Sequence, residues 1–400
     1  MRLTHTWFSA LAAAFALASC HAPDDGQGSS SSAQHHAVGA STAATAPLPT
    51  DFPGIPAGAV VAYHDGDGVK VITAIPAATQ ASFGAKDTGA PSFTADGKHV
   101  FASVGKANRQ DADQILDFDV ATRTVRSIAC PCAKAVAASG SMLVWWEDPD
   151  RLMSLDLREP DPKPKILRTV QLPTPAPDKI QGELSWQPSG TAVIGASRDI
   201  VLIGRLPTKP LPTGGPTYLF TVQDDGTARS LGAANSDGPV TRALFSPGGK
   251  QFAYIGRYRA SSNSRSASVS IVDTSTWQTQ TPSIADSSSP GVVPGVTSLW
   301  WDSDGALDTV YYSDKEGSPS PMTTVTPPNI WTLTDQTWKQ IGFDGERWLY
   351  HLAPGAILTL GRSNPRDEHS VSTTLSMEVQ GRRAQIAEGV TAVAAMSARQ

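Results

Sequence analysis

The chain has 400 residues, 40% of them hydrophobic and 17% charged, with a formal net charge of −5. That composition supports a substantial buried core. With no basic cluster and no matching motif, nucleic acid is excluded as the expected partner, and a charge this mild names no other.

At the N-terminus Arg2 precedes an apolar run from Trp7 to Leu17, followed by Ala18, Ser19 and Cys20. This is the layout of an export signal. The run is about half the length of a membrane-spanning helix, which needs roughly twenty residues. Leu17-Ala18-Ser19-Cys20 resembles the bacterial lipobox, which implies a signal peptide over residues 1–19 and lipidation at Cys20. An ordinary secretory signal ending near a cysteine is the alternative. Residues 20–56 consist mainly of Ser, Ala, Gly, Pro, Thr, Asp and His, including the run from Ser29 to Ser32. With almost nothing to bury, the segment reads as a disordered, lipid-anchored tether. His35 and His36 have no third ligand near them and read as linker, not as a metal site.

Residues 57–400 show short runs rich in Val, Ile, Tyr, Phe and Trp, separated by Gly, Pro, Asp and Ser, with almost no helical period. Those are strand and turn signals. Six segments share an apolar residue, a short link and a turn glycine: Phe93 to Gly97, Val136 to Gly140, Trp186 to Gly190, Phe245 to Gly248, Trp301 to Gly305 and Leu352 to Gly355. Their glycines are spaced 43, 50, 58, 57 and 50 residues apart. Spacing near 50 suits one four-stranded propeller blade, which buries both faces only when neighbours stack on it. Second strands are expected directly after each glycine, for example Val100-Phe101-Ala102, Ala192-Val193-Ile194 and Phe252-Ala253-Tyr254. A seventh copy is split between the termini. Val393-Ala394-Ala395-Met396-Ser397 repeats the inner-strand sequence Val136-Ala137-Ala138-Ser139, while Val60 to Tyr63 and Val69 to Ile72 supply strands that lack an inner one. The fold class is therefore all-β, a seven-bladed β-propeller whose ring is closed by the C-terminal strand.

Phe245-Ser246-Pro247-Gly248-Gly249-Lys250 and Phe93-Thr94-Ala95-Asp96-Gly97-Lys98 carry a resemblance to the TolB-like and WD-repeat-like bacterial propellers. The resemblance spans residues 57–400 as a fold and implies binding and scaffolding roles in the cell envelope. It departs at Val136 and Leu352, where the aromatic is missing.

Candidates for chemistry are few. No GxSxG segment follows residue 57, which lowers the expectation of a serine nucleophile elbow. His64, His99, His351 and His369 are scattered and read as strand or loop residues, so no metal or other cofactor is expected. Asp224, Asp225, Asp302 and Asp304 are explained by turn chemistry, with a paired acid for glycoside cleavage as the alternative. Cys130-Pro131-Cys132 admits a structural pair, a local disulfide closing the turn, or a redox or soft-metal role. Trp145, Trp146, Trp186, Trp300, Trp301, Trp331, Trp338 and Trp348 read first as blade packing and second as ligand platforms.

The connections between second and third strands are long in five repeats: Lys106 to Asp113, Arg205 to Thr217, Arg257 to Ala267, Asp314 to Pro328 and Ser363 to Ser370. Loops on a rigid scaffold often carry function. Partner binding is therefore expected on that face, through Arg109, Arg257, Tyr258, Arg259, Lys315, Arg366, Asp367 and His369, with Arg257 and Arg259 flanking an aromatic ring. The leading functional reading is a membrane-tethered, extracytoplasmic, non-catalytic module that binds an envelope protein or a cell-wall or saccharide ligand. Its rivals are a carbohydrate-active propeller enzyme with acids in the central channel, and a purely structural member of an envelope complex.

Overall fold

The structure is a computed structural model that describes residues 54–73, 80–84, 88–105, 112–132, 134–175, 186–207, 214–259, 265–284, 291–316, 324–342, 345–362 and 373–397. Its described elements are all strands, twenty-eight of them, paired antiparallel in seven four-stranded sheets. The chain opens with β1 (Val60–His64), β2 (Val69–Ile72) and β3 (Gln80–Phe83), which belong to blade 1. Blade 2 is β4 (Ser92–Phe93), β5 (His99–Gly105), β6 (Ala112–Asp119) and β7 (Thr124–Ala129). Blade 3 is β8 (Val136–Ala137), β9 (Met142–Glu147), β10 (Arg151–Asp156) and β11 (Lys165–Thr169). Blade 4 is β12 (Trp186–Ala196), β13 (Ile200–Pro207), β14 (Tyr218–Gln223) and β15 (Ala228–Ala233). Blade 5 is β16 (Ala243–Phe245), β17 (Gln251–Arg259), β18 (Arg265–Asp273) and β19 (Thr279–Gln280). Blade 6 is β20 (Val292–Trp301), β21 (Leu307–Lys315), β22 (Thr324–Thr334) and β23 (Thr337–Gln340). Blade 7 is β24 (Glu346–Ala353), β25 (Ala356–Arg362), β26 (Thr373–Val379) and β27 (Arg382–Glu388). Finally β28 (Ala392–Met396) returns to blade 1 and pairs with β1, Val60 opposite Met396 and His64 opposite Ala392.

The split repeat is thus the closure of the ring, as the terminal sequences imply. Alternate residues of the central strands face different neighbours, because side chains on a strand point to opposite sides. On β1, Val61 and Tyr63 join the core shared with blade 7, and Val60 and Ala62 join the core shared with blade 2. On β9, Leu143 and Trp145 face blade 2 while Val144 faces blade 4. Seven hydrophobic clusters result, one per seam between neighbouring blades. This is why second and third strands read as nearly continuous apolar runs. Each fully buried large side chain contributes roughly 1.5–3 kcal/mol, so the stacking of blades dominates the stability.

Turn glycines at 97, 140, 305 and 355 take the positive φ expected of them. Two do not. In blade 5 the left-handed residue is Gly249 and not Gly248. In blade 4, Gly190 lies inside β12, whose register shifts between Trp186 and Thr191. Ala192-Val193-Ile194 is therefore part of the inner strand, the following turn is residues 197–199, and β13 is the second strand. The irregular pairing absorbs residues that a sequence reading takes for a turn.

Candidate functional site

All five long connections join second to third strands at the same end of the blades, while β1 to β2 and β9 to β10 are joined tightly there. The one in blade 5 is shorter than its sequence suggests. Arg257 pairs with Ala267, Tyr258 with Ser266 and Arg259 with Arg265, so these three residues stand on the arms of a hairpin. Nothing is described of the Arg259 side chain, and Arg109, Arg366, Asp367 and His369 lie outside the described residues. The structure places Arg257 near the end of β17 in blade 5 and Lys315 at the end of β21 in the neighbouring blade 6, both exposed.

Arg257 is held from below. Its carbonyl accepts hydrogen bonds from the backbone N–H groups of Asp237 (2.8 Å) and Gly238 (3.1 Å), and its own N–H donates to Ser236 Oγ (2.9 Å). Its charge is felt by Tyr312 of blade 6, whose hydroxyl is pushed up by burial and by Asp314 and drawn down by Arg257. Tyr258 donates its hydroxyl to the carbonyl of Asn235 (2.7 Å), and Ser268 Oγ donates to Tyr258 (3.3 Å). Gly256 permits this approach, because a Cβ there would lie 2.3 Å from the Asn235 oxygen.

Asn235 leads to a feature no motif announced. Between blades 4 and 5 lies a cleft of about 350 Å³. Its floor is the buried Leu219, Ala234, Tyr254 and Val272, and its rim carries Asn235, Trp277, Thr279 and Thr281. The Asn235 N–H donates to the Tyr254 hydroxyl (2.9 Å), and Asn235 Nδ2 donates to Thr281 Oγ1 (3.1 Å). Burial raises the Tyr254 hydroxyl above its ordinary value, so it stays a neutral donor and acceptor. Trp277, absent from the tryptophans singled out by repeat position, sits in the turn between β18 and β19 at φ 62°. Arg229 lies 5.5 Å from the centroid of its ring. The signal that could have found it is the turn itself. Asp273 Oδ1 accepts the N–H groups of Ser275 and Thr276, just as Asp119 Oδ1 accepts those of Ala121 and Thr122, and the residue that follows is left-handed in both. Of the other tryptophans, Trp145, Trp300, Trp331 and Trp338 are buried in seams, and Trp146, Trp301 and Trp348 pack against them in part.

A second cluster joins blades 6 and 7. Asp302, 3% exposed, accepts hydrogen bonds from the N–H of His351 (3.0 Å) and of Ser303 (2.8 Å), and its other oxygen contacts His351 Nδ1. That contact raises the imidazole above its ordinary value. Asp308, 1% exposed, has one carboxylate oxygen without a hydrogen-bond partner, and burial above all pushes its pKa up to about 7. Elsewhere His99 and Arg126 both pair with the buried Asp117, and His64 meets Thr391. Among the described residues no group of three His, Cys, Asp or Glu side chains is arranged to hold a metal ion. Cys130 and Cys132 are joined by a disulfide buried in the seam of blades 2 and 3.

No family profile and no curated protein matches the chain. Some solved structures are similar to it in part. A puromycin hydrolase is 16% identical with a TM-score of 0.46, over 75% of this chain and 47% of the hydrolase, so the chain spans about half that protein's length. An oligogalacturonate lyase from Vibrio parahaemolyticus is 11% identical with a TM-score of 0.47, over 82% of this chain and 84% of the lyase. The β-propeller domain of the Trilobed protease from Pyrococcus furiosus is 12% identical with a TM-score of 0.44, over 82% of this chain and 94% of that domain. The class of protein, a seven-bladed β-propeller, is read from the chain's own strand pairing.

Proposed function

We propose that the protein is a non-catalytic binding module of a bacterial cell envelope, tethered outside the cytoplasm by a lipidated Cys20. It engages an envelope protein or a cell-wall saccharide through the face that carries Arg257 and Lys315. The observation that carries this reading is the preorganisation of Arg257. Its backbone is pinned by the Ser236–Gly238 segment while its guanidinium remains exposed. A cation carried on a strand with a pinned backbone binds without the backbone-ordering cost that a flexible loop would incur. The TolB-like resemblance of residues 93–98 and 245–250 is consistent with an envelope role.

The rival reading, an enzyme with acids in the channel, draws on Asp302, Asp308 and His351. A raised carboxyl beside a second carboxylate is the usual arrangement of acid and base catalysis. Here, however, both carboxylates are shut between blades, and of the three only His351 is substantially exposed. The cluster therefore suits a latch better than a catalyst.

The test uses the full chain and its Cys20→Ala form. Cys20→Ala should move the protein from the membrane pellet to the soluble fraction, since stable anchoring depends on the acyl chains. The released form then serves as bait, and Arg257→Ala with Lys315→Ala should reduce capture of envelope partners several-fold at an unchanged melting temperature. Retention of Cys20→Ala in the pellet, with no lipid mass on the wild type, would overturn the anchor. Undiminished capture by the double variant would overturn the binding face.

A further inference from the structure

We propose that the seam between blades 6 and 7 is a pH-sensitive latch, in which Asp302, Asp308 and His351 hold the inner strand of blade 7 against blade 6 at mildly acidic pH and let it loosen as protons leave. The inference concerns the frame of the propeller and stands apart from the face proposed to bind a partner.

Two geometric observations carry it. The first is that one buried carboxylate holds a strand of the next blade. Asp302, just past the end of β20, accepts the backbone N–H of His351 on β24 (3.0 Å) through one oxygen and contacts the imidazole Nδ1 through the other. On its far side β24 is tied again, because Tyr350 is hydrogen-bonded to Ser397, the residue that follows β28. A movement of β24 therefore acts both on this seam and beside the strand that closes the ring.

The second is a buried carboxyl group with one oxygen unmet. Asp308 on β21 is paired across the sheet with Trp300 on β20, and residues paired in this way share one side of a sheet. Trp300 packs with Leu349, Trp348 and Tyr350 of blade 7, so Asp308 faces the same seam. Its Oδ1 and the Trp300 Nε1 are both buried with no hydrogen-bond partner among the described residues. A neutral carboxyl tolerates such surroundings. A carboxylate there, short of donors and near Asp302, is costly.

The charges give the device its direction. The charged groups that act most on Asp308 are Asp302, Asp304 and His351, and those that act most on His351 are the same two aspartates and Asp308. His351 is the one cation of this set. At mildly acidic pH Asp308 is neutral and the imidazolium offsets Asp302. As pH rises through about 7 for Asp308, and through the raised value of His351, the carboxylates are left without a cation between them. Opening lets water solvate them, and because the closed seam holds more protons than the open one, rising pH favours opening.

The experiment is hydrogen–deuterium exchange of the full chain at pH 5 and pH 8, read by mass spectrometry, with each rate divided by the intrinsic rate at that pH. Protection of β20, β21, β24 and β25 should fall by about tenfold or more between the two conditions, since each pH unit inside the linkage window shifts the opening equilibrium up to tenfold. The fall should be several-fold larger than in blades 3 and 4. Asp308→Asn, which cannot ionise, should keep most of the seam's protection at pH 8. His351→Gln, which cannot become charged, should lower it at pH 5. A seam equally protected at both pH values overturns the proposal. So does an equal fall in all blades, which would make the cluster a matter of global stability alone, and so does a wild-type pH response in Asp308→Asn. If Asp308→Asn does not fold, the wild-type profile and His351→Gln decide: unchanged protection at pH 5 in His351→Gln also overturns the latch.

Discussion

Gly256 shows how one missing Cβ holds the candidate site together. A Cβ at that position would lie 2.3 Å from the Asn235 carbonyl oxygen and 2.9 Å from the Tyr258 hydroxyl. Neither can yield without moving the rim of the cleft, since the first is backbone. Gly256→Ala should therefore destabilise the protein by about 1–3 kcal/mol, the usual cost of overpacking. Gly248 is the natural control. Its Cβ would meet nothing within 4 Å and its φ is not positive, so Gly248→Ala should stay within about 0.5 kcal/mol of the wild type. Urea denaturation of the two variants checks both statements, and equal midpoints would refute the contact argument.

At the scale of elements, the seam between blades 6 and 7 is where acid–base chemistry bears on stability. Asp308 on β21 has its pKa raised by burial from 3.8 to about 7. Between about pH 4 and pH 7 the unfolded chain gives up this proton while the folded chain keeps it, so stability falls as pH rises through that window. The full difference is worth roughly 4 kcal/mol. His351 on β24 acts in the same direction. Its pKa is raised by Asp302, so its contribution is whole below the ordinary histidine value and is lost as pH rises through the folded one. Denaturation across about pH 4 to 8.5 should show a decline in the wild type that Asp308→Asn largely flattens, because an amide has no proton to lose. A slope unchanged in Asp308→Asn would assign the dependence elsewhere.

At the scale of the whole molecule, everything depends on five residues at the far end of the chain. β28 pairs with β1 along its whole length. Its Val393 and Ala395 pack toward blade 7, and its Met396 packs toward blade 2, so tightly against the turn that a Cβ on Gly97 would overlap the methionine sulfur. Removing residues 390–400 should expose the inner edge of β1 and uncover both adjoining seams. Unpaired edges template association, so the truncated chain should aggregate and melt earlier. Gel filtration and a thermal melt decide the matter. A monomer with an unchanged melting temperature would show that the ring closes without this strand.

The sequence by itself determined the architecture. Alternating short apolar runs, turn glycines at intervals near 50 residues, and the match of residues 393–397 to residues 136–139 are enough to count seven blades and to close the ring. These features are local and repeat, so each copy reports the same burial pattern. The frame of blade 4 escaped, because Gly190 looks like a turn glycine until the irregular pairing of β12 with β13 is seen. The hairpin arms that carry Arg257 and Tyr258 escaped as well, since strand and loop there share one composition. Only the tertiary structure decided where the cleft lies. It exists where Leu219, Tyr254 and Trp277, from two blades, fail to fill the seam between them, and Asn235 reaches Thr281 across 46 residues of sequence. Periodicity tells which side of a strand is buried; where packing between blades falls short is set by side chains that meet only after the ring has closed.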